Sequence, residues 1–300
     1  MKPLTANEST AVRRNLFTES AGLAFVRADF PWHRDDSGAV TAKLRESSQA
    51  LAIDVFGILP QLRAPSRIVD AWSAHCGFAL TGPWRPALER SVPRSLLGEP
   101  RPTQIDALLE SDNGLILVEC KFTEADGGSC SQPKPIGKKS PNRGMVQCSG
   151  DYVVQTNPVN HLAARCALTA KGVRYWETVP KVLSISNDID HRPCQFKGGW
   201  YQWMRNLVSC HAMCEASGKK GAFLVVYADG PFSMARKIAT PEWQEFVDLT
   251  VGGSVPLKVV SYQQLIDVAI ATGEPSDRDV MERLREWVHS KIGDVAASAT

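Results

Sequence analysis

Two short apolar runs separated by a turn dominate the hydrophobic pattern of this chain. Ile105 to Leu109 and Leu115 to Phe122 flank Ser111-Asp112-Asn113-Gly114, the spacing of a tight β-hairpin. The second run is apolar on both faces, as a buried strand should be. Upstream, Leu44, Ser48, Leu51, Val55 and Ile58 recur at helical spacing and predict a helix over 41–58. Pro60 and Pro65 break it. The apolar run from Ile68 to Leu80 then predicts a first strand or irregular strand pair, and the proline- and arginine-bearing residues 81–101 predict a loop.

Beyond the hairpin, a polar segment with prolines and glycines runs to about Pro141 and predicts a flexible loop. Residues 144–178 predict partial helix, clearest from Leu162 to Leu168, then a short strand at Val182 to Ile185 and a polar turn holding Asp188, Asp190 and His191. A second strong helix is predicted over 199–217 and a buried strand from Ala222 to Tyr227. Then come a helix (Pro241 to Leu249), a strand (Leu257 to Ser261), a helix (Tyr262 to Ala271) and a last helix with Val280, Leu284, Val288 and Ile292 as its stripe. There is no repeat and no low-complexity linker. Residues 1–300 therefore read as one elaborated domain, with a core over about 41–230 and a C-terminal α/β extension over about 240–295.

Charge interrupts the apolar hairpin at one place. Glu119 and Lys121 stand two apart, so both side chains leave the same face of the strand. A two-residue turn would put Asp106 opposite Lys121, and a four-residue Ser111–Gly114 loop would put it opposite Glu119; either keeps all three on one face. Two carboxylates and an ammonium are costly to bury without a partner. A divalent ion suits the carboxylates, and the lysine would then stand where an attacking water or a phosphoryl oxygen needs stabilising. A structural salt bridge at the end of a core strand is the alternative.

Asp106, Glu119 and Lys121, with Pro102 slightly upstream, resemble the signature of the PD-(D/E)XK, or restriction-endonuclease-like, nuclease superfamily. The first half departs from that signature, because Pro102 and Asp106 are separated by Thr-Gln-Ile. The resemblance implies an α/β fold with an α-β-β-β-α-β core, a mixed central sheet flanked by helices. To that core this chain would add a long insertion after the catalytic hairpin and a C-terminal helical extension. It also implies Mg²⁺ or Mn²⁺ held by Asp106, Glu119 and the backbone carbonyl of Cys120. Glu46, on the preceding helix, would be a further carboxylate, and Gln202 and Arg205, on the later helix, would support the site or the scissile phosphate. The implied reaction is metal-dependent hydrolysis of DNA phosphodiester bonds leaving a 5′ phosphate, with restriction or phage defence as the default role. RNA as substrate, a repair or recombination nuclease, and a non-catalytic nucleic-acid-binding module stay open.

Composition changes this picture little. A net charge of +2 neither demands nor excludes nucleic acid, so any basic footprint must be local. Lys138, Lys139 and Arg143, with no opposing acid between them, are the candidates for it. No apolar run suits a membrane span or a signal peptide, and the chain is expected to be cytoplasmic. Cutting both strands with one site per chain calls for a homodimer or successive nicks. Eight cysteines in a reducing compartment argue against disulfides. Cys130, Cys148 and Cys166, evenly spaced, are candidates for a zinc or iron–sulfur site, with scattered free thiols as the alternative.

Overall fold

A computed structural model describes residues 2–124, 127–152, 154–185 and 194–298. Its centre is a five-stranded mixed sheet in the order β1-β2-β3-β6-β7: β1 (Arg85–Ser91), β2 (Gln104–Glu110), β3 (Gly114–Lys121), β6 (Lys220–Tyr227) and β7 (Leu257–Ser261). β1, β2 and β3 are antiparallel neighbours, whereas β3, β6 and β7 run parallel. β4 (Gln155–Thr156) and β5 (Ala163–Ala164) form a separate small ribbon.

The strand alternation of β3 divides the core in two. Ile116, Val118 and Cys120 pack with the helices Ser48–Phe56, Pro65–His75, Tyr262–Thr272 and Pro275–Ser298. Leu115 and Leu117 pack with the helices Tyr175–Val182, Tyr201–Ser217 and Pro241–Leu249. Every residue of β3 is buried, which is why the run is apolar on both faces. Glu119 and Lys121 share the parity of Leu115 and Leu117, so they face the Tyr201–Ser217 helix.

A buried ion pair fastens the last helix to the first layer. Lys291 Nζ donates to Asp54 Oδ2 at 2.5 Å and to the Asn15 carbonyl at 2.7 Å, with neither ionic side chain exposed. Asp54 also accepts from Phe17 N at 2.7 Å and Trp287 Nε1 at 3.0 Å.

Several expectations are corrected. The helix expected over 41–58 spans Ser48–Phe56, capped by Ser47. Ile68 to Leu80 is no strand: Pro65–His75 is a helix whose Ile68, Val69 and Trp72 are buried, and Pro at its first position suits a helix start. The first strand instead lies within the stretch expected to be a loop. β1 is a sheet edge, where Pro86 costs no ladder bond and arginines can stay wet. Leu162 to Leu168 contains β5 and the start of a four-residue helix, and Leu183 ends a helix where a strand was expected. Asp188, Asp190 and His191 lie outside the described residues.

Candidate active site

The hairpin register brings the charges together. Glu110 pairs with Leu115 and Ala107 with Val118, so the loop is the four-residue Ser111–Gly114, and the same register carried one position past the last pair sets Asp106 level with Glu119. Ser111 closes this loop by accepting from Gly114 N at 2.9 Å through its hydroxyl. Asp106 Oδ2 accepts the backbone N–H of Cys120 at 2.7 Å, tying its carboxylate to the end of β3. The Cys120 thiol faces the opposite layer.

Glu119 and Lys121 are 2 % and 6 % exposed, and charges so deeply buried require partners. They pair with each other at 2.9 Å, and the Tyr201–Ser217 helix supplies the rest. Lys121 Nζ donates to Gln202 Oε1 at 2.9 Å, and Asn206 Nδ2 donates to Glu119 Oε2 at 2.8 Å. Gln202 Nε2 donates to Glu119 Oε1 as well. Gln202 and Asn206 are four residues apart on one helix face, so a single amide turn clamps both ends of the Glu119–Lys121 pair. The helix start is itself pinned by Gln202 N donating to the Gly127 carbonyl at 2.7 Å. A side chain at Gly127 would collide with the Trp203 indole, its Cβ falling 2.3 Å away.

A third carboxylate, unsuspected from the sequence, reaches the cluster from β1. Glu89 sits between the pairs Leu88–Ala107 and Arg90–Ile105, level with Asp106. It adopts a left-handed backbone with φ of 50°, uncommon for a residue with a side chain and of a kind that clusters at functional sites. Gln49 Nε2 donates to Glu89 Oε1 at 2.6 Å, and His33 Nε2 lies 3.3 Å from the same oxygen. Its other oxygen, Oε2, is buried with no hydrogen-bond partner among the described residues.

The electrostatics follow from this crowding. Burial, reinforced by Glu119 and Glu89, pushes the Asp106 carboxyl well above the ordinary carboxylate range. Burial would lower the Lys121 ammonium, yet Glu119 and Asp106 outweigh it and hold the pKa above its usual value. For His33 burial again pulls down, but the hydrogen bond and charge of Glu89, with Glu119 and Glu124 beyond, raise it. The cluster thus carries an excess of negative charge around one fixed ammonium. An orphaned buried carboxylate oxygen and a carboxyl driven toward protonation are what a site short of a hard cation would show, so the donor set fits a divalent ion. Among the described residues, no three His, Cys, Asp or Glu side chains are drawn into a formed ion-binding group.

Not every candidate converges here. Glu46 lies in an exposed turn ahead of the helix rather than on it, whereas Gln49, on that helix, reaches Glu89. Arg205 Nε donates to Glu99 Oε1 at 3.1 Å and Thr103 Oγ1 at 2.7 Å, and Tyr175 also bonds Glu99. That network anchors the helix beside the cluster. Lys138, Lys139 and Arg143 are exposed in turns of the segment after β3. Of the cysteine candidates, Cys148 is buried and Cys130 and Cys166 are half-buried.

A family model matches residues 14–286, which spans the hairpin, Glu89 and the amide helix. The chain belongs to the REase-ARP family. That family is described as Restriction Endonuclease associating with ARP, and so the resemblance carried by Asp106, Glu119 and Lys121 leads to a restriction-endonuclease-like family, which implies a nuclease hydrolase. No curated protein and no solved structure matches the chain significantly. Asn206 and Glu89 escaped the sequence reading for different reasons. Asn206 stood in view beside Gln202 but could not be told from a wet helix face. Glu89 needed a strand to be seen where arginines and a proline indicated loop. In this REase-ARP chain no helix among the described residues is long and apolar enough to cross a membrane.

Proposed function

We propose that this REase-ARP chain is a Mg²⁺- or Mn²⁺-dependent deoxyribonuclease and that the face formed by Asp106, Glu119, Lys121 and Glu89 is its active site. The observation that carries the reading is the Asp106–Glu119–Lys121 cluster at the end of β3, with Glu89 Oε2 left unpartnered beside it. Asp106, Glu119 and Glu89 would hold the ion, and the Cys120 carbonyl remains a candidate ligand. A bound divalent ion would supply Lewis-acid stabilisation of charge on the phosphate and leaving oxygen.

The protein's own groups do the rest. Lys121 stays protonated through its carboxylate neighbours and presents a fixed positive charge to a phosphoryl oxygen or the attacking water. Gln202 holds Lys121 and Glu119 in register, so neither spends the binding step finding its rotamer. Asn206 leaves one Glu119 oxygen oriented by an amide. Lys138, Lys139 and Arg143 are proposed as a phosphate-contacting patch on an exposed segment. A role in restriction or defence, a cytoplasmic location, a homodimer and a protein partner answering to the family's "associating with ARP" belong to the same proposal.

The test is cleavage of plasmid and linear DNA with Mg²⁺, Mn²⁺ or EDTA, comparing wild type with Lys121→Ala. Metal-dependent cutting should fall by about 10²–10³-fold in the variant, the usual loss on removing one preorganised charge donor. Equal cutting by wild type and variant would place the activity elsewhere.

A further inference from the structure

Four of the eight cysteines lie in one stretch of the chain. Cys130, Cys148, Cys166 and Cys194 all fall in the segment between β3 and the Tyr201–Ser217 helix. Among its described residues from 127 to 165, only Cys148 and Tyr152 are buried apolar side chains. Its β4 and β5 strands are two residues each, and Met145, Val146, Val154, Val159 and Leu162 are exposed. A unit without its own apolar core is ordinarily stapled by something else.

Hydrogen bonds gather the four cysteines from distant positions. Gln147 N donates to the Gln132 carbonyl at 3.3 Å, which sets the Cys130 stretch beside Cys148. Cys194 N donates to the Gly150 carbonyl at 2.5 Å. Arg165, next to Cys166, donates to the Tyr152 carbonyl at 3.1 Å. The thiols stand within electrostatic reach of one another: Cys148, Cys166 and Cys194 each act on Cys130, and Cys148 and Cys166 each act on Cys194.

The turns around the sulfurs share one geometry. Gly150 N donates to Cys148 Sγ at 3.4 Å. Cys130 likewise accepts from the backbone N–H of Gln132, and Cys194 from that of Phe196. In all three the donor lies two residues after the cysteine. Gly150 makes its turn with φ of +82°, and a side chain there would meet Lys197 Cδ at 2.8 Å. Lys171 Nζ donates to Gln132 Oε1 at 2.6 Å, which ties the Cys130 turn to the stretch after Cys166.

We propose that Cys130, Cys148, Cys166 and Cys194 together bind one structural zinc ion, which ties the segment after β3 into a single unit. An all-thiolate set of four is a closed structural site with no open position for chemistry. Binding would release the thiol protons and draw the sulfurs closer than they stand, since they do not form a closed ligand group here. Cys194 completes the set that Cys130, Cys148 and Cys166 begin. Cys76, Cys120 and Cys210 are buried in the two cores and take no part.

Metal analysis of the purified full-length protein should find about one zinc ion per chain, released by a mercurial in proportion to thiols modified. Cys148→Ser and Cys194→Ser should each lose it, while Cys76→Ser and Cys210→Ser should retain it. Should the first two variants fail to fold, cobalt substitution of the wild type decides the matter: the intense visible absorption of tetrahedral cobalt–thiolate is expected. Zinc-free wild type that takes up neither zinc nor cobalt would overturn the proposal, as would iron and the brown colour of a cluster. Each readout is independent of nuclease activity.

Discussion

Replacing Asp106 with Asn should weaken the proposed activity and strengthen the metal-free fold at the same time. Asp106 faces Glu119 across the hairpin and has Glu89 as its other acidic neighbour. Opposed strand positions set Cβ atoms about 5 Å apart, and carboxylates extending side by side keep about that spacing. At an effective dielectric of about 20, two such charges repel by about 3 kcal/mol. The Lys121 ammonium cancels part of this, leaving a net relief of about 1–2 kcal/mol when the charge is removed. Asn keeps a carbonyl oxygen to accept the Cys120 N–H, so the backbone tie survives. For a 300-residue chain, whose unfolding entropy is about 0.6 kcal/mol/K, the melting temperature in EDTA should rise by about 2–3 °C.

The sign with pH follows from the raised Asp106 pKa. The native state favours the proton, so its contribution is fully present below about pH 4, the unfolded value, and is lost as pH rises through the folded value. The gain from Asp106→Asn should therefore vanish near pH 4 and open as pH rises. Ten millimolar Mg²⁺ acting on a site of about 1 mM affinity adds about 1.4 kcal/mol, again about 2 °C, to the wild type alone. Scanning calorimetry of both proteins, with Mg²⁺ and with EDTA, at pH 4.5 and 7.5 reads all three effects. If Asp106→Asn melts at or below wild type in EDTA at pH 7.5, or if Mg²⁺ raises both proteins equally, the repulsive ion-binding cluster is refuted.

Glu89→Gln should reduce metal-dependent cutting and the Mg²⁺ shift in melting temperature, whereas Glu46→Gln, altering an exposed turn, should leave both unchanged. The reverse order of effects would show that Glu89 belongs to the fold and Glu46 to the site. Lys291→Met leaves Asp54 buried with only two neutral donors and should lower stability by about 3–5 kcal/mol in urea unfolding. Adding Asp54→Asn should recover part of the loss, and a single-variant loss below about 1 kcal/mol would mean that water reaches the pair.

The local pattern of the chain determined what short-range physics controls. The β2–β3 hairpin, the face shared by Asp106, Glu119 and Lys121, the amide helix and most of the C-terminal elements follow from apolar periodicity and turn residues. These signals are local, and burial on one or two faces writes them directly into residue order. Tertiary structure alone decided the loop length that set Asp106 level with Glu119, the placing of Glu46 in a turn ahead of the helix and the approach of Glu89 to Asp106. Edge strand β1 has one side unpaired, so it tolerates the proline and arginines that disguise it. Ile68 to Leu80 misled for the converse reason, because an apolar run alone does not distinguish a buried strand from a helix packed in the core. The convergence of Cys194 with three cysteines far from it in the chain has no periodic signature, since contacts among loops depend on where the whole chain folds back and not on any repeat along it.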